Sequence, residues 1–183
     1  MPHQLTFASS NKSKFDEIKF ILSQLGIVVS FVEASLVEIQ SDRLETIAIE
    51  KAKSAFAKIT KPVIVEDDGL FIDCLNGFPG QYSSFVLHAI GNNGILRLMA
   101  GSRNRAASFK SAIAFFDGCL QMFFVGTTVG RISTRITKGG WGYDPIFIPL
   151  GTTLTFGELR VTKNQYSHRK KALEKFVRWY RKQ

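Results

Sequence analysis

The sequence predicts an α/β protein, and three observations carry the prediction. Short β-branched runs such as Val63-Ile64-Val65 alternate with stretches whose apolar residues return every three or four positions, the periods of buried strands and amphipathic helices. Turn and capping residues, among them Ser9-Ser10-Asn11 and Asp117-Gly118, punctuate those stretches. At 183 residues, 45% of them hydrophobic, the chain can enclose such a core within one domain.

Taken in order, Gln4 to Ala8 alternates as a first strand and runs into Ser9-Ser10-Asn11, a turn with helix-capping chemistry. Phe15, Ile18, Leu22 and Leu25 follow at helical steps, and Gly26 supplies a stop. Ile27 to Val32 reads as a second strand. Asp42 with Glu45 resembles a capping box opening a helix that carries Leu44, Ile47, Ala48, Ala52, Ala55 and Phe56. The strand from Val63 is expected to end at Gly69, with Glu66-Asp67-Asp68 where it emerges from the core, and Leu70 to Leu75 is expected to form another strand.

Asn76-Gly77-Phe78-Pro79-Gly80 is a turn, and Ile95, Leu96, Leu98 and Met99 mark a helix ending near Gly101. From Ala106 to Ile132 two apolar runs flank Asp117-Gly118 as a hairpin, and Pro145 to Pro149 encloses a short strand. The terminal helix places Ala172, Leu173, Phe176, Val177 and Tyr180 on one face, while seven basic residues from Arg169 onward oppose only Glu174. With no linker, low-complexity tract or repeat, the reading is a single domain over 1–183 with two lobes and a groove between them.

The net charge of +9 favours anionic partners such as nucleotides, nucleic acids or acidic membranes. No apolar run is long enough to cross a bilayer, and Met1-Pro2-His3-Gln4 lacks the basic start of a secretory signal, so a cytoplasmic protein with no membrane partner is expected. Cys74 and Cys119 lack metal-ligand spacing and read as reduced thiols in or near the core, while His3, His88 and His168 are scattered. That excludes a zinc-type cluster and leaves hard oxygen ligands for any metal.

Chemistry concentrates in a few segments. Ser9-Ser10-Asn11-Lys12-Ser13-Lys14 lies at a strand-to-helix junction, where free amides, hydroxyls and lysine can hold phosphate without the glycine spacing of a Walker loop. Glu66-Asp67-Asp68 crowds three carboxylates, which repel one another unless a cation joins them; strand alternation sends Asp67 to the face opposite its neighbours. Glu38 precedes the second helix and Lys51 lies on it. Trp141-Gly142-Tyr143-Asp144 sets two rings around a glycine, able to sandwich a nucleobase. Lys163, His168 and Arg169 add donors at the start of the terminal helix.

Together and in order, these segments resemble the inosine triphosphate pyrophosphatase family, particularly its archaeal branch. The match rests on Ser9-x-Asn11-x-x-Lys14-x-x-Glu17, Glu38-x-Gln40, Lys51-Ala52, Glu66-Asp67-Asp68-Gly69-Leu70, Gly77-Phe78-Pro79-Gly80-x-Tyr82-Ser83, Gly142-Tyr143-Asp144-Pro145, and Lys163-Asn164 with Ser167-His168-Arg169. The resemblance implies an elongated, two-lobed fold with a mixed twisted sheet flanked by helices, a substrate cleft between the lobes, and a homodimer. It implies magnesium-dependent hydrolysis of ITP, dITP and XTP to the monophosphate and pyrophosphate, which clears deaminated purines from the nucleotide pool.

By that resemblance, Ser9, Ser10, Asn11, Lys12, Ser13 and Lys14 cradle the triphosphate with Lys51, and Glu38 and Asp67 associate with the metal. Asp67 matches the general base, and Asp67 and Asp68 beside it are both placed among the substrate-binding residues. Trp141, Gly142, Tyr143 and Asp144 match the base pocket, and Lys163, His168 and Arg169 match the segment that reads the purine. Asp68 stands where relatives usually carry Ser or Thr, Trp141 where Phe is common, and Ser84-Phe85 where many have Ala-Arg. Two rival functions share parts of this pattern: a pyrophosphatase of different base specificity, and a nucleic-acid binder driven by the basic terminal helix, although no dedicated nucleic-acid partner is expected.

Overall fold

A computed structural model describes residues 5–183; Gln4, expected to open the first strand, and His3 lie outside them. The elements are β1 (Leu5–Ser9), α1 (Lys12–Gln24), β2 (Val29–Glu33), α2 (Leu44–Ile59), β3 (Val63–Ile72), β4 (Pro79–Gly80), α3 (Ser83–Leu98), β5 (Ala106–Phe116), β6 (Gln121–Ile132), β7 (Phe147–Pro149), α4 (Phe156–Leu159) and α5 (His168–Tyr180). The seven-stranded sheet runs β2-β1-β3-β5-β6-β7, with β4 beside β3. It is mixed, because β1 pairs in parallel with β2 and β3 whereas β3–β4 and β6–β7 are antiparallel. The expected α/β class with a mixed, helix-flanked sheet is what the chain forms.

By packing, the chain divides into two compact units. The first takes residues up to Asp67 together with Ser111–Gly126 and Arg169–Gln183, and the second takes Asp68–Lys110 and Thr127–His168. The first buries Phe7 and Ile64 from the sheet, Phe15, Ile18 and Leu22 from α1, and Leu173 and Phe176 from α5. The second has its own core around Leu70, Ile95, Phe109, Tyr143, Phe147 and Phe156. As its spacing predicted, α5 docks an apolar face, and Lys175 Nζ on its wet side donates to the Val125 carbonyl.

Two helix starts contrast. Asn11 caps α1, accepting the Lys14 amide on Oδ1 at 3.1 Å, so the expected cap is present. The expected capping box at Asp42 is absent: α2 begins at Leu44 with Arg43 in the cap position and no side-chain cap bond. Burial of Leu44, Ile47 and Ala48 fixes that start instead.

The expected break at Gly69 does not occur either, since β3 continues for ten residues through the acidic triplet to Ile72. Residues 73–75, expected to belong to a separate strand, form a short 3₁₀ turn. The physical reason is the neighbour across the ladder. A Cβ at Gly69 would lie 2.3 Å from the Gly80 carbonyl oxygen, so this glycine permits close approach of β4 and does not mark a turn. The Asp117-Gly118 hairpin forms as predicted, its turn closed by Asp117 Oδ1, which accepts the amides of Cys119 and Leu120. Cys119 is therefore exposed at a turn and not in or near the core as expected; Cys74 is half-buried against the second core. Among the described residues, no helix is long and apolar enough to cross a membrane.

Candidate active site

In the first unit, β1 delivers Ser9 to the start of α1. Its Oγ accepts the Asn11 amide at 3.0 Å while Asn11 caps the helix, so both side chains shape the turn that presents the helix N-terminus. Ser10, Lys12 and Ser13 are exposed. Lys12 pairs with Asp16 at 3.1 Å and lies 4.5 Å from the Phe15 ring centroid. Lys14 is half-buried, with Nζ 3.8 Å from Glu66 Oε2.

The alternation of β3 separates the acidic side chains into two networks. Asp67 Oδ1 accepts from Lys51 Nζ at 2.6 Å, and the same ammonium lies 2.7 Å from Glu38 Oε1. Two carboxylates from distant parts of the chain thus converge on one cation. Lys51 and Asp67 are buried, whereas the Glu38 side chain is 69% exposed. Glu66 enters the other network: its Oε1 accepts Ser111 Oγ at 2.6 Å and Arg169 Nε at 2.8 Å. Arg169 also reaches Glu17 with Nη1 at 2.9 Å, so its fork ties α5 to both α1 and β3. A carboxylate as deeply buried as Glu66 is tolerable only with such partners. Asp68 is half-buried.

In the second unit, Lys163 Nζ pairs with Asp144 Oδ2 at 2.9 Å, and that oxygen also accepts the Trp141 amide at 3.2 Å. The ammonium lies 5.5 Å from the Trp141 ring centroid and 5.4 Å from that of Phe156, within cation–π range. Gly142 adopts φ +63°, where a side chain would be strained, and Asn92 Nδ2 donates to its carbonyl at 3.0 Å. His168 is buried and stacks on Phe109, with centroids 4.7 Å apart and planes 8° from parallel.

Tyr143 departs from the expected sandwich of two rings. Its ring is buried in the second core and its hydroxyl donates to the Ser83 carbonyl at 2.9 Å, whereas Trp141 is only half-buried. Burial pushes the Tyr143 phenol well above its ordinary range.

Among the described residues, no three or more His, Cys, Asp and Glu side chains gather as a metal site. The fit is to a cation with few protein ligands. Magnesium is commonly held by one or two carboxylates, substrate phosphates and water, and Glu38 with Asp67 offers such a pair, already converging on a positive charge.

A sequence model of the Ham1 family matches residues 5–179. The chain belongs to that family. Relatives of the same length agree. The dITP/XTP pyrophosphatase of Methanopyrus kandleri is 47% identical over 181 residues, covering 97% of this chain and 96% of that protein. The protein of that name from Thermococcus kodakarensis is 43% identical over 178 residues, 96% of each. Among solved structures, a HAM1 protein from Coxiella burnetii superposes with a TM-score of 0.83 at 28% identity, covering 99% of this chain and 100% of that one. The Staphylococcus aureus Ham1 protein gives 0.78 at 26%, covering 96% and 98%. The resemblance read from the motifs and the Ham1 assignment therefore agree.

Within this Ham1 chain, three site neighbours escaped the sequence reading. Ser111, fully buried, is the hydroxyl that helps hold Glu66; a serine inside the apolar run of β5 was its only signal. Phe109 and Phe156 pack against His168, and the sequence did not single them out.

Proposed function

We propose that the protein hydrolyses deaminated purine nucleoside triphosphates, ITP, dITP and XTP, to the nucleoside monophosphate and pyrophosphate. One observation carries this reading beyond family membership: Asp67 and Glu38 converge on a single cation in the unit that also holds the Ser9 to Lys14 junction. That combination suits a polyphosphate and its counter-ion. The whole chain serves as one catalytic domain.

Ser9, Ser10, Asn11, Lys12, Ser13 and Lys14 bind the phosphates through helix-terminal amides, hydroxyls and positive charge, and Lys51 adds its ammonium. Glu38 and Asp67 would hold magnesium, which supplies charge neutralisation at the phosphates. Asp67 takes the proton of the attacking water on a carboxylate oxygen. That water adds at the α-phosphorus, the bond to the bridging oxygen breaks, and pyrophosphate leaves. Asp68 lies next to this group and adds negative charge that the lysines offset.

In the second unit Trp141 stacks on the base, Gly142 leaves room for it, and Asp144 orients Lys163 to donate toward the purine 6-oxo group. A 6-amino group would turn hydrogen toward hydrogen and leave that donor unpaired. Tyr143 and His168 stiffen the pocket wall from the core; in the first unit Arg169 grips Glu66 and Glu17. The protein works in the cytoplasm as a homodimer.

The reaction itself is tested by following ITP turnover with phosphorus NMR. IMP and pyrophosphate are the expected products; IDP and orthophosphate would refute cleavage between the α and β phosphates.

A further inference from the structure

Lys51 occupies an unusual position for a phosphate-binding lysine. Its Nζ lies 2.7 Å from Glu38 Oε1 and 2.6 Å from Asp67 Oδ1, one oxygen of each carboxylate assigned above to a divalent cation. Each contacted oxygen has given one lone pair and part of its charge to the ammonium, so an ammonium held between the two carboxylates opposes a second cation at the same place. The two cations are therefore competitors. Lys51 sits on α2, with its side chain 9% exposed, while Glu38 lies outside any helix or strand, so exchange requires only side-chain motion at the end of a four-carbon stem.

We propose that Lys51 is an exchangeable internal counter-ion: it holds Glu38 and Asp67 against metal until the triphosphate draws its ammonium away, so that metal and nucleotide load together. This rests on the assignment of Glu38 and Asp67 as the metal-associated pair. Two consequences are built in. Asp67, buried in the strand, keeps a neutralising partner in both states, which spares the fold an uncompensated buried charge. A metal ion without nucleotide gains little hold, because its apparent affinity is divided by the fraction of molecules in which Lys51 has left; a lysine in place about 90% of the time weakens binding about tenfold.

The test is titration of nucleotide-free protein with Mn²⁺, read by electron paramagnetic resonance of the free ion, in wild type, Lys51→Met, Lys53→Met, Glu38→Gln and the Glu38→Gln/Lys51→Met double variant. Lys51→Met is expected to tighten Mn²⁺ binding about tenfold or more. Lys53→Met removes equal charge from the same helix, where Lys53 is exposed and pairs with Glu50, and should shift binding less than about twofold. The double variant should lose the gain. If Lys51→Met binds no tighter, or Lys53→Met tightens binding as much, while Glu38→Gln still weakens it, the exchange proposal falls and the metal assignment stands. If Glu38→Gln leaves binding unchanged in both backgrounds, the assignment fails and takes the proposal with it. Circular dichroism checks folding throughout; should Lys51→Met not fold, Lys51→Gln, an uncharged donor, takes its place under the same expectations.

Discussion

Asp67 shows how much one residue's surroundings add to its identity. Strand alternation in the sequence already separated it from Glu66 and Asp68, and the structure gives that separation content: Asp67 meets Lys51, and Glu66 meets Arg169 and Ser111. Asp67→Asn keeps the shape and removes the base, so kcat is expected to fall about 10²–10⁴-fold while the nucleotide still binds, checked by turnover and by calorimetric titration with ITP. Glu66→Gln is expected to act on stability instead, costing about 3–5 kcal/mol in urea unfolding, because Arg169 would keep a buried charge with a weakened partner. Tyr143 supplies the pH dependence. Burial favours its neutral phenol, so the folded pKa lies above the unfolded one. That contribution is complete below the ordinary tyrosine pKa of about 10 and is lost as pH rises beyond it. Tyr143→Phe should lack this alkaline loss, so its stability deficit relative to wild type should shrink in melts taken above about pH 10. Residue identities in the site were legible because charged types recur at recognisable spacing. Partners were not, since Lys51 reaches Glu38 only after α2 folds back, and Tyr143 reads alike as pocket or core.

At the scale of elements, local chemistry foretold what is locally determined. The Asn11 cap, the Asp117-Gly118 turn and the buried stripe of α5 need only neighbours in sequence. Where the reading erred, a distant contact decides the outcome. Gly69 read as the end of a strand, yet it is held inside β3 by the backbone of Gly80, and Asp42 did not cap α2 because the burial of Leu44 and Ile47 sets that start. Gly69→Ala tests the first point: its Cβ would meet the Gly80 oxygen, so the β3–β4 ladder must shift, at an expected cost of about 1–3 kcal/mol in thermal or urea unfolding. Leu173→Ala empties part of the core beneath α5 and should cost about 2–5 kcal/mol by the same measurements. The acidic triplet is thus not a solvated strand end. It is the middle of a strand in which Glu66 is met from α1, β5 and α5 and Asp67 from α2.

For the whole molecule, the two units divide the chemistry that the sequence laid out in alternation: the strand-helix junction and its carboxylates fall in the first, and Trp141, Asp144 and Lys163 in the second. The order of motifs made the Ham1 family legible over almost the full chain, because each motif is a short local string. The partition into units was not, since three strands pass from one to the other and composition does not change at the crossings. The positive net charge suits a triphosphate substrate, and much of the basic terminal helix is spent on packing and on carbonyl contacts such as that from Lys175 to Val125. The central claim is selective hydrolysis of deaminated purine triphosphates, and the most direct measurement is the rate of pyrophosphate release from ITP, dITP, XTP, GTP, ATP and dUTP at equal concentration. Hydrolysis of ITP, dITP and XTP should exceed the other three by at least about tenfold; comparable rates on all six would contradict it.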